Sequence, residues 1–523
     1  MTAFAARRAL VAGILATALA AVALLAGCAA NDLSDCANAN QALGSSSSEA
    51  AASRPAPLPS LQLGREEDRR ASAEPGFVST ARNPRSTLSA DVDTASYCNL
   101  RRMVADGCDS LDIPAETVRT EELLNYFDYA YPAPDGDDLF GVSAQVGDCP
   151  WNDEAKLLVM GFATEAADHA PSEGSNLVFL VDTSGSMDEP SKLPLLKDAF
   201  ATLVEGLGER DRVSVVTYAS GERTVLEGAS GADKQRILRA IDGLTASGAT
   251  NGEAGLERAY LLAERSFIEG GVNRIVMASD GDLNVGISTE AELHDYVERK
   301  RETGVYLSVL GFGSGNYQDA KMETLADHGN GAYHYIDCIE EARRVFGENL
   351  RANLVPLADD VKVQVEFDPA QVAGYRLIGY ENRALANEDF LDDGVDAGEV
   401  GAGHAFTVAY EIVPAGAVDG AWLAGSIRYR PAGSAQHVEQ AFEVDGTGDA
   451  AQPSDDWTFA AAVIECGMTL SRSPFAGTST LETAHALLLD AELTEQQRGF
   501  RTLLATLIDR GGSCPPLSPP SSR

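Results

Sequence analysis

The chain has 523 residues, of which 44% are hydrophobic, and a formal net charge of −39 at pH 7. That length fits two to four domains, and the apolar fraction is ample for sizeable cores. Such acidity argues against a nucleic-acid partner, whose phosphates need Lys and Arg. It bears on solubility and long-range repulsion rather than on fold.

Residues 1–28 form a targeting segment. Arg7 and Arg8 give a positive start, and Ala9 to Leu25 an apolar, Ala-rich stretch. Its end, Leu25-Ala26-Gly27-Cys28, resembles the bacterial lipobox, in which Cys28 would be lipidated and become the new N-terminus. A plain signal peptide or one membrane helix are the alternatives, and the polar stretch after Cys28 favours the lipobox. No later run approaches the ~20 apolar residues that a membrane span requires. The expectation is therefore a lipid-anchored protein on the extracytoplasmic face of the cell membrane. Residues 29–76, with Ser45-Ser46-Ser47-Ser48, Pro55, Pro57, Pro59 and mixed charges from Arg65 to Arg70, read as a disordered tether giving reach.

Residues 84–175 read as helices plus strands. STLSADVDTASYCNLRRMV and TVRTEELLNYFDYAYP suggest a strand followed by helices. Tyr97, Leu100 and Val104 fall at helical spacing and are assigned to the core, while Arg101 and Arg102 are assigned to solvent. A strand pair is expected from Phe140 to Phe162, with Val142, Ala144 and Val146 alternating.

From 176 to 352 apolar strands and helical segments alternate, which implies a doubly wound, mostly parallel sheet. Leu256, Ala259, Tyr260 and Ala263 fall on one helix face. Arg223–Leu226 is expected as an antiparallel edge strand. Residues 358–446 change to a period of two, as in Val361, Val363, Val365 and Phe367. That is the pattern of a sheet with one face covered, read here as a β-sandwich. Strands before Asn176 would complete it, so that the α/β domain is inserted in or flanked by the sandwich. Residues 455–511 read as helical, with Phe500, Leu503, Leu504 and Leu507 on one face and a Thr494–Gln497 capping box. Residues 512–523 are a Pro- and Ser-rich tail, expected to be disordered.

The stretch that carries chemistry is NLVFLVDTSGSM, residues 176–187. A buried strand ends in Asp182-x-Ser184-x-Ser186, a carboxylate and two hydroxyls with no bulky group between them. Hard divalent cations take such ligands, and open α/β sheets place ligands at the carboxyl ends of their strands. Alone, the triplet reads equally well as a polar strand-to-helix turn with Ser as cap, a helix following near Pro190. Two further segments shift the balance. GATNG places Thr250 at a helix entry, and RIVMASDG is a second apolar strand ending in Asp280.

Asp182, Ser184, Ser186, Thr250 and Asp280 together resemble the metal-ion-dependent adhesion site of the von Willebrand factor type A (VWA) family. The resemblance implies a divalent cation, Mg²⁺ with Ca²⁺ or Mn²⁺ as alternatives. It implies hydroxyl ligation by Ser184, Ser186 and Thr250, with Asp182 and Asp280 binding directly or through water. It leaves one position open to an Asp or Glu of a protein partner. LSADVDTASYCNLRR, EELLNYFDYAYP, YRLIGYENR and VDAGEVGAGHAFTVAYEIVP extend the likeness, over roughly Pro84 to Arg510, to a family of bacterial VWA lipoproteins. That family carries an N-terminal segment and a C-terminal domain of unassigned function.

The implied function is metal-dependent protein binding. An assembly role in an envelope complex is the alternative, and a hydrolase the least supported. Asp182-Thr183-Ser184 resembles the Asp-Thr-Gly of aspartic proteases, but position 184 is Ser and the pattern is α/β rather than all-β. No GxSxG elbow or P-loop appears, and no catalytic residue is assigned. The His residues are scattered, with His328 and His334 nearest, so zinc has little support. His404 reads as a strand-entry residue. Asp282 and Asn284 read as turn formers or an outer shell, and Asp188 and Glu189 as helix N-terminal charges. Setting Cys28 aside leaves an odd number of thiols, with Cys98–Cys108 the nearest ordered pair and Cys149 an alternative partner for either.

Overall fold

Alternating apolar residues build the two sheets that frame the molecule. The computed structural model describes residues 74–511, apart from 91, 167–172, 250–251, 282–289, 314–318, 349–354, 396, 417–419 and 446–452. The signal segment, the tether, the C-terminal tail, Thr250, Asp282 and Asn284 lie outside the described residues.

The chain begins with strands β1 (Val78–Ser79) and β2 (Arg85–Ser89), helices α1 (Ala95–Ala105) and α2 (Thr120–Asn125), and strands β3 (Phe140–Asp148) and β4 (Lys156–Thr164). The α/β layer follows as β5 (Ser175–Asp182), α3 (Leu193–Gly206), β6 (Arg212–Tyr218), β7 (Glu222–Ser230), α4 (Lys234–Asp242), α5 (Glu253–Arg265) and β8 (Val272–Ser279). It ends with α6 (Glu290–Arg301), β9 (Tyr306–Phe312), α7 (Asp319–His328), β10 (Tyr333–Ile336) and α8 (Ile339–Arg343). Then come β11 (Pro356–Phe367), β12 (Val372–Ile378), β13 (Ala384–Leu385), β14 (Gly398–Gly401), β15 (Ala405–Pro414), β16 (Ala421–Pro431) and β17 (Val438–Asp445). Helices α9 (Asp455–Leu470), α10 (Leu481–Leu487) and α11 (Glu495–Arg510) close the chain.

The sandwich is shared between the two ends of the chain. One sheet runs β1-β12-β15-β4-β3 and the other β13-β2-β11-β16-β17, with β14 pairing β11. The alternating Val361, Val363, Val365 and Phe367 of β11 are fully buried with Leu158, Met160, Phe162, Phe406 and Val408 of the facing sheet. Strands from before and after the α/β layer therefore close one core, and that layer is inserted between β4 and β11.

The inserted sheet runs β10-β9-β8-β5-β6-β7, parallel throughout except for β7. The edge strand β7 covers Glu222–Ser230, longer than the four residues expected. Leu177, Phe179 and Val181 face a core with α3, α4 and α8. Val178 and Leu180 face another with Leu256, Ala259, Tyr260 and Ala263 of α5. Covering on both faces accounts for the unbroken apolar run in β5. The outer edge at β10 is blunted where the Asp93 carboxylate accepts the Tyr333 N–H at 3.0 Å.

Helix α9 is buried on nearly every side, as an all-round apolar helix must be. Its Trp457 indole donates to the Leu157 carbonyl at 3.3 Å, which fixes it to the sandwich. The Thr494–Gln497 box caps α11 in both directions.

Two expectations need correction. Arg101 does not simply face solvent. Its guanidinium donates to Asp337 at 2.5 and 2.8 Å and to Glu341 at 3.1 Å, joining α1 to the end of the α/β layer. Cys98 and Cys108 are not bridged but are free thiols, and Cys149 is also free. The helix runs on to Ala105 past Cys98. Cys108 follows the turn after that helix end, where its N–H donates to the Met103 carbonyl at 3.0 Å.

Candidate metal centre

Parallel strands β5 and β8 lie side by side, so Asp182 and Ser279 end them at the same level. The chain winds outward in opposite directions from this pair, which makes their carboxyl ends the switch point of the sheet. Beyond β5 a single 3₁₀ turn, Gly185–Met187, intervenes before α3. The helix begins at Leu193, shortly after Pro190, which leaves room for a loop of oxygen donors.

Asp182 is fully buried and Ser184 nearly so, while Ser186 is exposed at the lip. The Ser184 N–H donates to Asp182 Oδ1 at 2.8 Å, and the Ser279 hydroxyl donates to Oδ2 at 3.3 Å. The hydroxyls of Ser184 and Ser186 lie 2.9 Å apart. Burial pushes the Asp182 carboxyl up to about 6, against the Ser184 and Ser279 hydrogen bonds and with some help from Asp280. The Gly281 N–H donates to Ser279 Oγ at 3.1 Å, holding the loop that follows Asp280.

The segment before Thr250 is stitched to the same rim. Ser247 N–H donates to the Thr183 carbonyl at 2.7 Å, and Gly185 N–H to the Gly248 carbonyl at 3.0 Å. Ala249 N–H donates to Ser220 Oγ at 3.0 Å. Of the five residues singled out in the sequence, Asp182, Ser184, Ser186 and Asp280 meet on one rim; Thr250 lies outside the described residues.

Helix α5, which follows this segment, packs closely because of Gly255. A Cβ there would stand 2.8 Å from Tyr218 Cβ and 3.2 Å from Leu180 Cδ1. Gly255→Val is expected to lower stability by about 1–3 kcal/mol through overpacking. A urea melt measures this, and a loss under about 0.5 kcal/mol, the range of an unremarkable surface change, would show that α5 has slack.

Sequence reasoning did not single out Ser279 or Lys192. The Lys192 ammonium donates to Asp280 Oδ2 at 3.1 Å and to the Ser186 carbonyl at 2.9 Å, and it approaches Glu189 Oε1 at 3.4 Å. The one available signal was a Lys standing directly before the helix, where caps are usually Ser, Thr, Asp or Asn.

Residues 176–347 match the von Willebrand factor type A domain family, and residues 64–159 match a further family described as von Willebrand factor. Residues 352–423 and 418–513 match "Uncharacterized protein YfbK, C-terminal". The "Uncharacterized protein YfbK" of Escherichia coli (strain K12) is 39% identical over 457 residues, covering 82% of this chain and 78% of that protein. The chain belongs to the YfbK family of VWA-domain proteins. The inter-alpha-trypsin inhibitor heavy chain H2 of Mesocricetus auratus is 32% identical over 160 residues, 29% of this chain and 16% of that one. A solved von Willebrand factor type A protein from Catenulispora acidiphila shares 17% identity, over 72% of this chain and 91% of its own, with a TM-score of 0.42. VWA domains are protein-interaction modules, and they commonly bind a divalent cation at the strand-end site. Among the described residues no helix is long and apolar enough to cross a membrane.

The donor set fits such an ion. It is all oxygen, mixes carboxylate and hydroxyl, and has a buried floor with an open lip. The other acidic cluster, Cys98, Asp337 and Glu341, does not, because the Arg101 guanidinium already fills it.

Proposed function

We propose that this is a lipid-anchored, extracytoplasmic binding protein in which a divalent cation on the β5–β8 rim captures an Asp or Glu of a protein partner. Asp182, Ser184, Ser186 and Asp280 would hold the ion, with Thr250 completing the set. The ion supplies strong local attraction for a carboxylate, and the surrounding loops supply specificity.

The observation that carries this reading is the pair of hydroxyls 2.9 Å apart beside a fully buried carboxylate. Neighbouring oxygen ligands of one divalent ion stand about this far apart, so the two hydroxyls can share an ion without moving far. Mg²⁺ is the ion proposed, with Ca²⁺ or Mn²⁺ as alternatives. The exposure of Ser186 leaves the outer side open to a ligand.

Titration calorimetry tests the reading. Wild-type protein is expected to bind Mg²⁺. Asp182→Ala is expected to weaken that affinity at least ~100-fold while its thermal melt stays cooperative, since a deprotonated carboxylate ligand is lost. Unchanged Mg²⁺ affinity in Asp182→Ala would sink the assignment. Crosslinking on intact cells, with and without a chelator, would then identify the partner. Loss of membrane fractionation in Cys28→Ser would support the lipid anchor.

A further inference from the structure

Lys192 is a cation built into the rim of a candidate cation site. It is only 8% exposed. Its ammonium joins Asp280 Oδ2 at 3.1 Å to the Ser186 carbonyl at 2.9 Å. Its stem runs beneath Gly313, where a Cβ would lie 2.8 Å from Lys192 Cγ. That glycine has φ +88°, in the left-handed region that side chains disfavour. The end of β9, the turn after β5 and the loop after β8 thus converge on one long side chain.

Charge counting gives this arrangement a consequence. Asp182 and Asp280 alone would neutralise a divalent ion. Lys192 adds one positive charge, so the loaded site is cationic by one unit and an incoming carboxylate cancels it. Glu189 sits 3.4 Å away, but its side chain is 57% exposed, and water screens it. An ammonium and a divalent ion drawn to one carboxylate repel each other at a range where little solvent intervenes.

We propose that Lys192 is the affinity- and specificity-determining residue of this site. Its ammonium pairs with Asp280 and weakens the affinity for the ion. It also gives the loaded site the positive charge that selects an anionic, carboxylate-bearing ligand. This inference rests on the cation reading above.

The test uses Mn²⁺ as the metal probe and acetate as the simplest carboxylate, on purified protein. Lys192→Met is expected to bind Mn²⁺ about tenfold more tightly or better, as removal of a like charge a few ångströms away predicts. Lys192→Arg, which keeps the charge, is expected to stay near wild type. Acetate bound to the Mn²⁺-loaded protein displaces metal-bound water and lowers the water-proton relaxation enhancement. Its half-effect concentration is expected to rise several-fold in Lys192→Met. Lys192→Gln is measured alongside, so that a packing defect in one variant does not decide the result. If Asp182→Ala abolishes Mn²⁺ binding while Lys192→Met and Lys192→Gln bind it as wild type does or more weakly, this inference is overturned and the cation site stands. If Asp182→Ala binds Mn²⁺ like wild type, the cation site itself falls.

Discussion

Arg376→Met is expected to destabilise the protein by about 3–5 kcal/mol, the range for breaking a buried ion pair from one side. Among the described residues Arg376 is one of the largest fully buried side chains, and its partner Glu411 is 1% exposed. The guanidinium donates to Glu411 Oε2 at 2.6 Å and to Glu74 Oε1 at 2.6 Å, and it lies 4.7 Å from the Phe475 ring centroid. Glu411 Oε1 also accepts from the Trp151 indole at 3.1 Å and from Asn152 Nδ2 at 3.2 Å. Methionine would fill much of the volume but leave the buried Glu411 without its opposing charge, held by the Trp151 and Asn152 donors. The double variant Arg376→Met/Glu411→Gln should recover much of the loss, because neither charge remains while the side-chain amide still accepts from Trp151 and Asn152. Urea unfolding measures both. A single-variant loss below about 1 kcal/mol, the value of an exposed pair, would mean that water reaches this one.

Glu341→Gln is expected to lose about 3 kcal/mol at neutral pH and almost nothing near pH 2. Burial alone would raise the Glu341 carboxyl, but Arg344 and Arg101, with the Tyr126 hydroxyl, outweigh it and hold it down at about 2. Arg344 donates to Oε1 at 2.6 and 2.9 Å, while Tyr126 and Arg101 donate to Oε2 at 2.8 and 3.1 Å. The unfolded chain titrates near ~4.3, so the folded value is depressed. The contribution is fully present above ~4.3 and is lost as pH falls towards about 2, at about 1.4 kcal/mol for every pH unit that separates the folded and unfolded values. Many of the 79 acidic residues titrate over the same range. The informative quantity is therefore the wild-type minus Glu341→Gln difference, followed by thermal melts from pH 7 to pH 2. A difference that stays constant across that range would show that the carboxylate is not ionised by its arginines.

The two ion clusters explain what the sequence could and could not reveal. Periodicity exposes which face of an element is buried, so the Val361–Phe367 alternation, the Leu256–Ala263 stripe and the Phe500–Leu507 stripe were readable. It does not expose a partner hundreds of positions away. Arg101 looked like a surface residue because of its charge, although it stands one turn from Tyr97 on that same stripe and lies over its ring; only the segment from the end of β10 into α8 supplies Asp337 and Glu341. Lys192 and Ser279 escaped notice for a related reason: each acts through a contact made across adjacent strand ends. The DxSxS triplet and Asp280 stood out because an apolar strand ending in small oxygen-bearing residues has a local signature. The Ser184–Ser186 spacing, by contrast, is a property of the folded turn.

The insertion between β4 and β11 has a mechanical consequence. β4 is flanked by β3 and β15, and β11 by β2 and β16, so the inserted layer is joined covalently to two interior strands of opposite sheets, besides its packing and ion contacts with α1. Tension applied at the far rim by a captured ligand would divide between two covalent lines. To extract either strand, a pull must shear hydrogen-bonded ladders on both of its sides together. A domain hung from an edge strand would peel open one rung at a time.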